Sequence, residues 1–495
     1  MSQSKRVFLA LDQGTHSSRA ILFGDRGQFL EKFQVSIGLN RIDEVTVEQD
    51  PVELLDSVRN CLQQAIAAAK DTDWQVVAAG LATQRSSVLA WDRGTGQALS
   101  PVLSWQDRRQ HADVDLLKDI APRVRQLTGL PLTPHYGASK MQWLHSVYLP
   151  HQPQLIQNGN QTDEGNRVAI GPLASFLVAN LVDGVPYCVD HTNALRTQLM
   201  NLKTLDWDPW LVETFGLNEV ELPQCVPVVY EFGLTNRTIP LTAVSGDQTA
   251  ALYSQGPLPN ETALVNLGTG GFILKQDDSN DESDQDLLGG LSLSDGATTQ
   301  YLIEGTVNGC GSAIKWAAER LSLGNDFHSK TEDWLKQNQR GNPYLFLNSI
   351  GGLGSPFWVS DISPGWFDEN GQPIVDPAPG PAIAAVVESI VFLIHENFQR
   401  MTRGKPDQPV SGIRVSGGLS NLDGVCQRLA NMTQCHVTRT SIVEATASGV
   451  AWMAAGRPSN WASDQDEIEF LPEDDRELAD RFEAFRGLIE KTIEP

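Results

Sequence analysis

The sequence predicts an α/β protein built from two related domains. Apolar runs of strand length alternate with segments of helical spacing along most of the chain, a pattern that indicates layers of helices and sheet. A strand, a Gly-Thr turn and a second strand occur in residues 7–23 and again in residues 262–275. This weak internal repeat of one supersecondary motif predicts two domains of related architecture.

Apolar runs and turn residues place the elements of the first half. Residues 51–70 carry apolar side chains at helical spacing, with Pro51 in the first turn, and residues 76–81 form the short apolar run of a buried strand. The predicted elements here are a three-stranded meander over 7–11, 20–23 and 29–35, the helix 51–70, the strand 76–81, and helices over 116–127, 139–147 and 171–181.

The second half repeats the opening pattern and ends in a helix. Residues 262–275 predict a second hairpin, and residues 425–433 predict a helix that follows a strand and a glycine pair. Within residues 473–493, five apolar side chains share one helical face, which indicates a helix that docks on the rest of the protein. These five are Leu478, Phe482, Phe485, Leu488 and Ile489.

At 495 residues, the chain is long enough for two or three domains. Residues 255–260 have the Gly, Pro and Asn content of a turn or linker, which places a boundary nearby. We expect one domain over 1–250, a second over 251–460, and an acidic tail with the docking helix over 461–495.

Charge and composition exclude several classes of protein. The 61 acidic residues outnumber the 37 basic ones, and the resulting net charge of −24 repels phosphate backbones, so nucleic acid is excluded as the main partner. The six cysteines form no C-x-x-C pair, which favours reduced thiols. The most apolar run, residues 382–394, contains Glu388 and is too short for a membrane span. Without a signal-peptide pattern either, we expect a cytoplasmic protein.

Two glycine-containing turns have residues suited to phosphate binding. In residues 12–19, a glycine lets backbone amides approach an anion, Thr15 and Ser17 add hydroxyl donors, and Arg19 adds positive charge. A carboxylate here, Asp12, is a candidate ligand for Mg²⁺ beside phosphates. A plain hairpin is the alternative. The second turn, residues 268–270, favours the phosphate hypothesis because two such turns could clamp a phosphate chain.

Three further segments each allow a functional and a structural interpretation. Asp247, where the halves join, is a candidate general base, but its local pattern by itself favours a helix N-cap. Gly417-Gly418 could admit a flat ring or a phosphate, or could form a tight turn into a helix. The acidic residues 277–286 predict a solvated loop, with a metal site as the alternative.

Taken together, nine segments between residue 7 and about residue 456 resemble the FGGY carbohydrate kinases of the actin-like ATPase superfamily, and especially the glycerol kinases. Each segment is weak alone, but they occur in the order of that family. They are LALDQGTHSSRAILF, TQRSSVLAWDRGTG, SWQDRR, DHTNALRTQLMNLKTLDWD, SGDQTAAL, NLGTGGFIL, EGTVNGCGSAIKW, GGLGSPFW and SGGLSNLDGVCQ.

The resemblance implies two ribonuclease-H-like domains around a cleft, with the acceptor mainly on the N-terminal domain and ATP mainly on the C-terminal one. It implies that Asp247 accepts the proton of the acceptor hydroxyl and that Asp12 positions Mg²⁺. Homodimers or homotetramers are common in the family. The implied nucleotide-binding residues are Thr15, His16, Ser17, Arg19, Thr269, Gly311, Lys315 and Gly418. The implied substrate-binding residues are Arg85, Ser86, Trp105, His135, Asp247 and Gln248.

Two departures from the family pattern bear on the acceptor. Ser86 stands where glycerol kinases usually have a Glu that accepts bonds from glycerol, and His135 stands where they usually have a Tyr, although Tyr136 is adjacent. We expect a kinase that converts glycerol to glycerol 3-phosphate. The alternatives are a pentulose or other ketose kinase, whose acceptor is longer, and a nucleotide-binding pseudokinase.

Overall fold

The computed structural model describes residues 5–493 except 152–167, 278–285, 325–326, 340, 361, 404–408, 441, 443 and 463–465. The acidic segment 277–286 therefore lies almost wholly outside the described residues. The chain divides into two units. Unit 1 comprises Met1–Pro257, Gly289–Tyr301 and Glu444–Ser463, and unit 2 comprises Leu258–Leu288, Leu302–Val443 and Asp464–Pro495.

Strands and helices alternate through both units, as the sequence predicts. In chain order, the strands are β1 (Lys5–Gln13), β2 (Ser17–Phe23), β3 (Phe29–Ser36), β4 (Asn40–Arg41), β5 (Val47–Gln49), β6 (Trp74–Thr83), β7 (Val88–Asp92), β8 (Val102–Leu103), β9 (Val168–Pro172), β10 (Cys188–Asp190), β11 (Met200–Asn201), β12 (Asp206–Trp207), β13 (Gln224–Val226), β14 (Val229–Thr235), β15 (Ile239–Gly246), β16 (Thr262–Leu267), β17 (Gly271–Gln276), β18 (Leu288–Ser294), β19 (Thr299–Val307), β20 (Leu345–Leu347), β21 (Gly365–Phe367), β22 (Pro373–Ile374), β23 (Gly412–Ser416), β24 (His436–Thr440) and β25 (Glu467–Phe470).

The helices carry their own labels, in the same order. They are α1 (Pro51–Asp71), α2 (His111–Asp115), α3 (Ala121–Thr128), α4 (Gly137–Trp143), α5 (Leu173–Leu181), α6 (His191–Leu195), α7 (Pro209–Thr214), α8 (Asp247–Ala251), α9 (Gly311–Arg320), α10 (Phe327–Gln337), α11 (Pro379–Thr402), α12 (Asp423–Thr433), α13 (Ala445–Ala454) and α14 (Arg476–Ile493), with short 3₁₀ turns at Lys118–Ile120, Leu149–His151 and Gly418–Asn421 and a π turn at Leu144–Tyr148.

The main sheet of unit 1 brings three loops to one edge. Its strand order is β14-β15-β6-β1-β2-β3, with β1 and β15 both parallel to β6. In this register Thr83 is the partner of Gln13 on one side and of Gly246 on the other. Parallel strands that end together place the residues that follow them side by side. The segments after residues 13, 83 and 246 are therefore neighbours.

Most predicted elements of unit 1 are present, and the three helices predicted after α1 differ in where they begin or in their continuity. The helix predicted over 116–127 starts only at Ala121, after α2 and a 3₁₀ turn, because Pro122 favours the first turn of a new helix. The helix predicted from residue 171 begins at Leu173, since Gly171 and Pro172 pair with β7 as part of β9. The helix predicted over 139–147 is α4 followed by a π turn.

Unit 2 places its second Gly-Thr turn beside its glycine pair. The hairpin of β16 and β17 is the one predicted over 262–275, and β23 runs parallel to β16. Asn266 and Ser416 are partners in that ladder. The turn after Leu267 and the Gly417-Gly418 pair therefore lie at the same edge of the sheet.

The core of unit 2 is built around the helix α11 and the terminal helix α14. By length and composition alone α11 could cross a membrane, but 94% of its most apolar window is buried within the protein. Glu388 on this helix is buried and ion-paired with Arg481 of α14, which explains a charge within an apolar run. The docking prediction for α14 is confirmed, because all five of the apolar residues named for its face are buried.

All six cysteines are free thiols, and five of them are buried, while Cys225 is half-buried.

Candidate active site

The first Gly-Thr turn places an acidic and a basic side chain in contact. Asp12 and Arg19 are partners across the β1–β2 ladder, and the Nη1 of Arg19 donates to the Oδ2 of Asp12 at 2.9 Å. Asp12 is only 5% exposed. Burial raises its pKa from 3.8 to about 6. Arg19 lowers this pKa, and the negative charges of Asp247 and Glu444 partly offset the effect of Arg19. Desolvated carboxylates of this kind gain from a nearby cation.

These residues fit a Mg²⁺ ion that is held beside phosphates. Mg²⁺ is usually bound by one or two carboxylates together with phosphate oxygens and water. Asp12 supplies one buried carboxylate, and Asp247 is near enough to raise its pKa. Among the described residues, no group of three or more His, Cys, Asp or Glu side chains could form a protein cage for a metal. The donor set therefore suits a metal that is shared with a phosphorylated ligand.

The turn itself is tight and links to an aromatic wall. Gly14 donates its N–H to the carbonyl of Ser17 at 3.0 Å, which closes the turn. The indole N–H of Trp105 donates to the Oγ1 of Thr15 at 3.0 Å. His16 is exposed at the tip, and Ser17 is buried. Thr15 and Trp105, predicted for two different ligands, thus touch each other directly.

Asp247 lies at the end of β15, beside Arg85. The Nε of Arg85 is 3.5 Å from the Oδ1 of Asp247. That same oxygen accepts the N–H of Gln248 at 2.8 Å. The N-cap interpretation of Asp247 is wrong, because Gly246 occupies the cap position and Asp247 is already the first helical residue. Its carboxylate is 29% exposed, so part of it can be reached from the solvent.

Two buried polar atoms, one on the residue after Arg85 and one on the residue after Asp247, lack a hydrogen-bond partner among the described residues. Within the described residues, neither the Oγ of Ser86 nor the Oε1 of Gln248 has a hydrogen-bond partner, although both atoms are buried. Ser86 also adopts a left-handed backbone conformation, with φ of 63°. Strain and unmet hydrogen bonds at one place are typical of a binding site.

His135 forms an aromatic contact with Trp105. The two rings meet edge-to-face with centroids 5.8 Å apart. Tyr136 is 4% exposed and lies behind His135, with ring centroids 5.1 Å apart. His135 therefore contacts the rings of both Trp105 and Tyr136.

The turn in unit 2 is held by backbone contacts at the start of α9. The carbonyl of Thr269 accepts the N–H groups of Cys310 and Ser312, each at 3.1 Å, and Gly311 donates to the carbonyl of Gly268 at 2.9 Å. A Cβ atom on Gly311 would lie 2.9 Å from that carbonyl oxygen, so only glycine fits. The side chain of Thr269 is left exposed.

Gly417 and Gly418 complete this edge, and Lys315 lies one turn further along α9. Gly417 has φ of 89°, and a Cβ atom there would meet the carbonyl oxygen of Leu267 at 2.6 Å. Gly418 has open space around it. The side chain of Lys315 is 78% exposed, with Glu319 at 3.9 Å. The structure thus brings Thr269, Gly311 and Gly418 together around exposed backbone, which suits binding of an anion or a flat ring.

Sequence reasoning missed several polar residues that support these groups. Glu444 lies 3.7 Å from Arg19 and 2.9 Å from Lys32, so it extends the Asp12–Arg19 pair. Gln84 donates to Gln49 at 2.9 Å and to Gln13 at 3.2 Å, and Lys140 is buried behind Ser86. Their position next to apolar runs indicates that these polar side chains are buried. It does not reveal their hydrogen-bond partners, because those partners are distant in the sequence.

Comparison with known proteins agrees with this geometry. Residues 7–252 match the N-terminal domain of the FGGY family of carbohydrate kinases, and residues 263–456 match its C-terminal domain. A glycerol kinase of Acinetobacter baylyi is 32% identical over 457 residues, which is 90% of this chain and 89% of that protein. A glycerol kinase of Marinomonas sp. is 30% identical over 94% of this chain and 92% of that protein.

Solved structures share the fold at lower identity. The structure of Plasmodium falciparum glycerol kinase with ADP has a TM-score of 0.87 at 23% identity, with 99% of both chains covered. A ligand-bound xylulose kinase from Lactobacillus acidophilus has a TM-score of 0.81 at 18% identity, covering 98% of this chain and 97% of that one. The predicted two-domain fold of the sugar-kinase and actin-like ATPase type is confirmed. The chain belongs to the FGGY family of carbohydrate kinases.

Proposed function

We propose that this carbohydrate kinase transfers the γ-phosphoryl group of ATP to a hydroxyl of a small polyol, and that glycerol is the acceptor, giving glycerol 3-phosphate. One observation carries the choice of a polyol. The Oγ of Ser86, next to Arg85 in the chain, and the Oε1 of Gln248, next to Asp247, are buried and have no hydrogen-bond partner among the described residues. Arg85 in turn lies 3.5 Å from the carboxylate of Asp247. Acceptor hydroxyls would pair with both atoms and offer a proton to that carboxylate. The similarity to glycerol kinases supports glycerol in particular.

In this proposal the residues of unit 1 bind and activate the acceptor. Asp247 accepts the proton of the attacking hydroxyl, and Arg85, 3.5 Å away, orients that carboxylate. Trp105 forms an apolar wall for the carbon chain, and His135, which contacts the Trp105 ring, is a further substrate-binding residue. Asp247 follows the end of β15, and its partner Arg85 lies in the loop after the neighbouring strand β6. The sheet therefore fixes the positions of both residues.

The nucleotide is proposed to bind mainly through unit 2. In unit 2 the proposed nucleotide-binding residues are Thr269, Gly311, Lys315 and Gly418. In unit 1 the proposed phosphate-binding residues are Thr15, His16, Ser17 and Arg19, with His16 acting through its main chain. Mg²⁺, when bound, would neutralise phosphate charge. Asp12 would hold it through water, since its own carboxylate is buried and already contacts Arg19.

A ketose kinase is the second candidate. Ser86 lacks the carboxylate that would accept two bonds from glycerol, and a charge-assisted hydrogen bond is worth about 1.5–3 kcal/mol. The short Ser86 side chain leaves room that a longer pentulose could use. The preference is a ratio of kcat/KM values, and so it is decided by kinetics.

The test is a panel of acceptors with purified protein, ATP and saturating Mg²⁺. ADP release is measured with glycerol, dihydroxyacetone, erythritol, D-ribulose and xylulose. We expect the highest kcat/KM with glycerol. A higher kcat/KM with a pentulose would show that the acceptor is a ketose and would leave the proposed mechanism unchanged. Binding of ATP without transfer to any acceptor would overturn the proposal in favour of a nucleotide-binding pseudokinase.

We also propose a cytoplasmic location and a homodimer or homotetramer, on the strength of the family resemblance. Light scattering of the purified full chain measures the oligomeric state, and a monomer at micromolar concentration would contradict that part of the proposal.

A further inference from the structure

A buried lysine lies directly behind the proposed acceptor pocket. Lys140, on α4, is 1% exposed. Its Nζ donates to the carbonyl of Ser86 at 2.8 Å and to the carbonyl of Ser104 at 2.9 Å. Burial lowers its pKa to about 7, with Asp107 raising it and Arg109 lowering it. Burying a charged group raises the free energy of the folded state unless hydrogen bonds compensate for the lost hydration.

The two carbonyls belong to the two segments that form the pocket. Ser86 directly follows Arg85, and Ser104 directly precedes Trp105. Ser86 has φ of 63°, a strained conformation for a residue with a side chain. The bond from Lys140 fixes the carbonyl of this strained residue. It therefore helps to hold Arg85 where its Nε reaches Asp247.

A second contact joins the same two segments. The N–H of Trp105 donates to the Oγ of Ser87 at 3.0 Å. The helix that carries Lys140 begins at Gly137, immediately after His135 and Tyr136. Lys140 thus connects the segments of Ser86 and Ser104 with the helix that follows His135, although its own side chain does not face the proposed acceptor.

We propose that Lys140 is a positioning residue that sets the spacing between the loop 84–87 and the Trp105 wall, and thereby determines the affinity for the acceptor. This inference rests on the proposed function, because it concerns the acceptor pocket. It extends that function by assigning specificity to a residue that does not touch the acceptor.

Lys140→Met tests the proposal, with Lys275→Met as the matched control. Lys275 on β17 is also 1% exposed, so both variants remove one buried lysine. We expect kcat/KM for the acceptor to fall about tenfold or more in Lys140→Met, through KM, while KM for ATP stays within about twofold. Lys275→Met should leave KM for the acceptor unchanged. A merely structural role for Lys140 would lower the active fraction and leave both KM values at wild-type levels.

Hydrogen exchange separates this inference from the proposed function. In Lys140→Met, the amides of residues 84–88 and of Trp105 should exchange faster, whether or not any acceptor is phosphorylated, and Lys275→Met should not have this effect. If Lys140→Met does not fold, Lys140→Gln is used, since its shorter side chain keeps N–H donors but cannot reach both carbonyls. Wild-type exchange in those segments together with an unchanged KM for the acceptor would overturn the proposal.

Discussion

The two Gly-Thr turns have the same place in their sheets but different chemistry. In unit 1 the turn after β1 is flanked by a partly buried ion pair, Asp12 with Arg19 at 2.9 Å. In unit 2 the turn after β16 has no charged residue between Leu267 and Gly271. It is fixed by backbone bonds from Cys310, Gly311 and Ser312 at the start of α9.

This difference indicates a division of labour between the copies of one motif. The unit 1 turn depends on side chains, which can titrate, attract a metal and exchange protons. The unit 2 turn depends on close backbone approach, which binds anions without any titrating group. Substitutions that change charge should therefore impair the function of the unit 1 turn. Substitutions that add side-chain volume should impair the unit 2 turn.

The largest effect is expected for Asp247→Asn in unit 1. Loss of the proposed general base should lower kcat about 10²–10⁴-fold. ATP affinity should be kept, because no charge changes near Gly311 or Gly418. Single-turnover phosphoryl transfer and ATP binding by calorimetry are the measurements. Wild-type turnover in this variant would mean that Asp247 is not the base.

Asp12→Asn should have the next largest effect, about 10²-fold on kcat at saturating Mg²⁺, the usual cost of removing one electrostatic contact in an active site. The Mg²⁺ concentration for half-maximal activity should rise. The dependence of rate on Mg²⁺ is the measurement, and an unchanged midpoint would exclude Asp12 from the metal site.

In unit 2, Gly417→Ala should lower stability more than Gly418→Ala. A Cβ atom at Gly417, with its φ of 89°, would lie 2.6 Å from the carbonyl oxygen of Leu267, whereas Gly418 has open space. The strain should cost about 1–3 kcal/mol. Gly418→Ala should keep the wild-type Tm and raise KM for ATP instead. Thermal melts and ATP kinetics of both variants decide this, and equal melting temperatures would contradict the steric argument.

The raised pKa of Asp12 predicts how stability depends on pH in unit 1. Because its pKa rises from 3.8 to about 6 on folding, the protonated carboxyl favours the folded state. That contribution is complete below pH 3.8 and is lost as pH rises through 6. The Tm of Asp12→Asn relative to wild type should therefore be higher at pH 8 than at pH 4. The reverse order would show that the ion pair with Arg19 outweighs the cost of burial.

The smallest effect is expected for His16→Thr. The side chain of His16 is exposed, and its carbonyl accepts the N–H of Ile37 at 3.0 Å whichever side chain is present. KM for ATP should change by less than about threefold, as is usual for exposed positions. A tenfold change would show that the imidazole itself contacts phosphate.

Much of the fold could be predicted because local patterns were consistent with the final packing. The meander, the hairpin over 262–275 and the buried face of α14 follow from periodicity and turn residues alone. The helix over 116–127 was misplaced because apolar spacing continues through Pro122, where the chain starts a new helix instead. The periodicity of apolar residues does not reveal where one helix ends and the next begins.

By itself, the sequence determined the class of protein, the motif segments and their order along the chain. Only the tertiary structure decided that Asp247 is not a helix cap, that His135 meets Trp105, and that Lys140 binds the carbonyl of Ser86. The physical reason is that turns and periodic faces are set by neighbours in the chain. Contacts such as Lys140 with Ser86 and Ser104 depend on sheet register and burial, which join residues that are far apart in sequence.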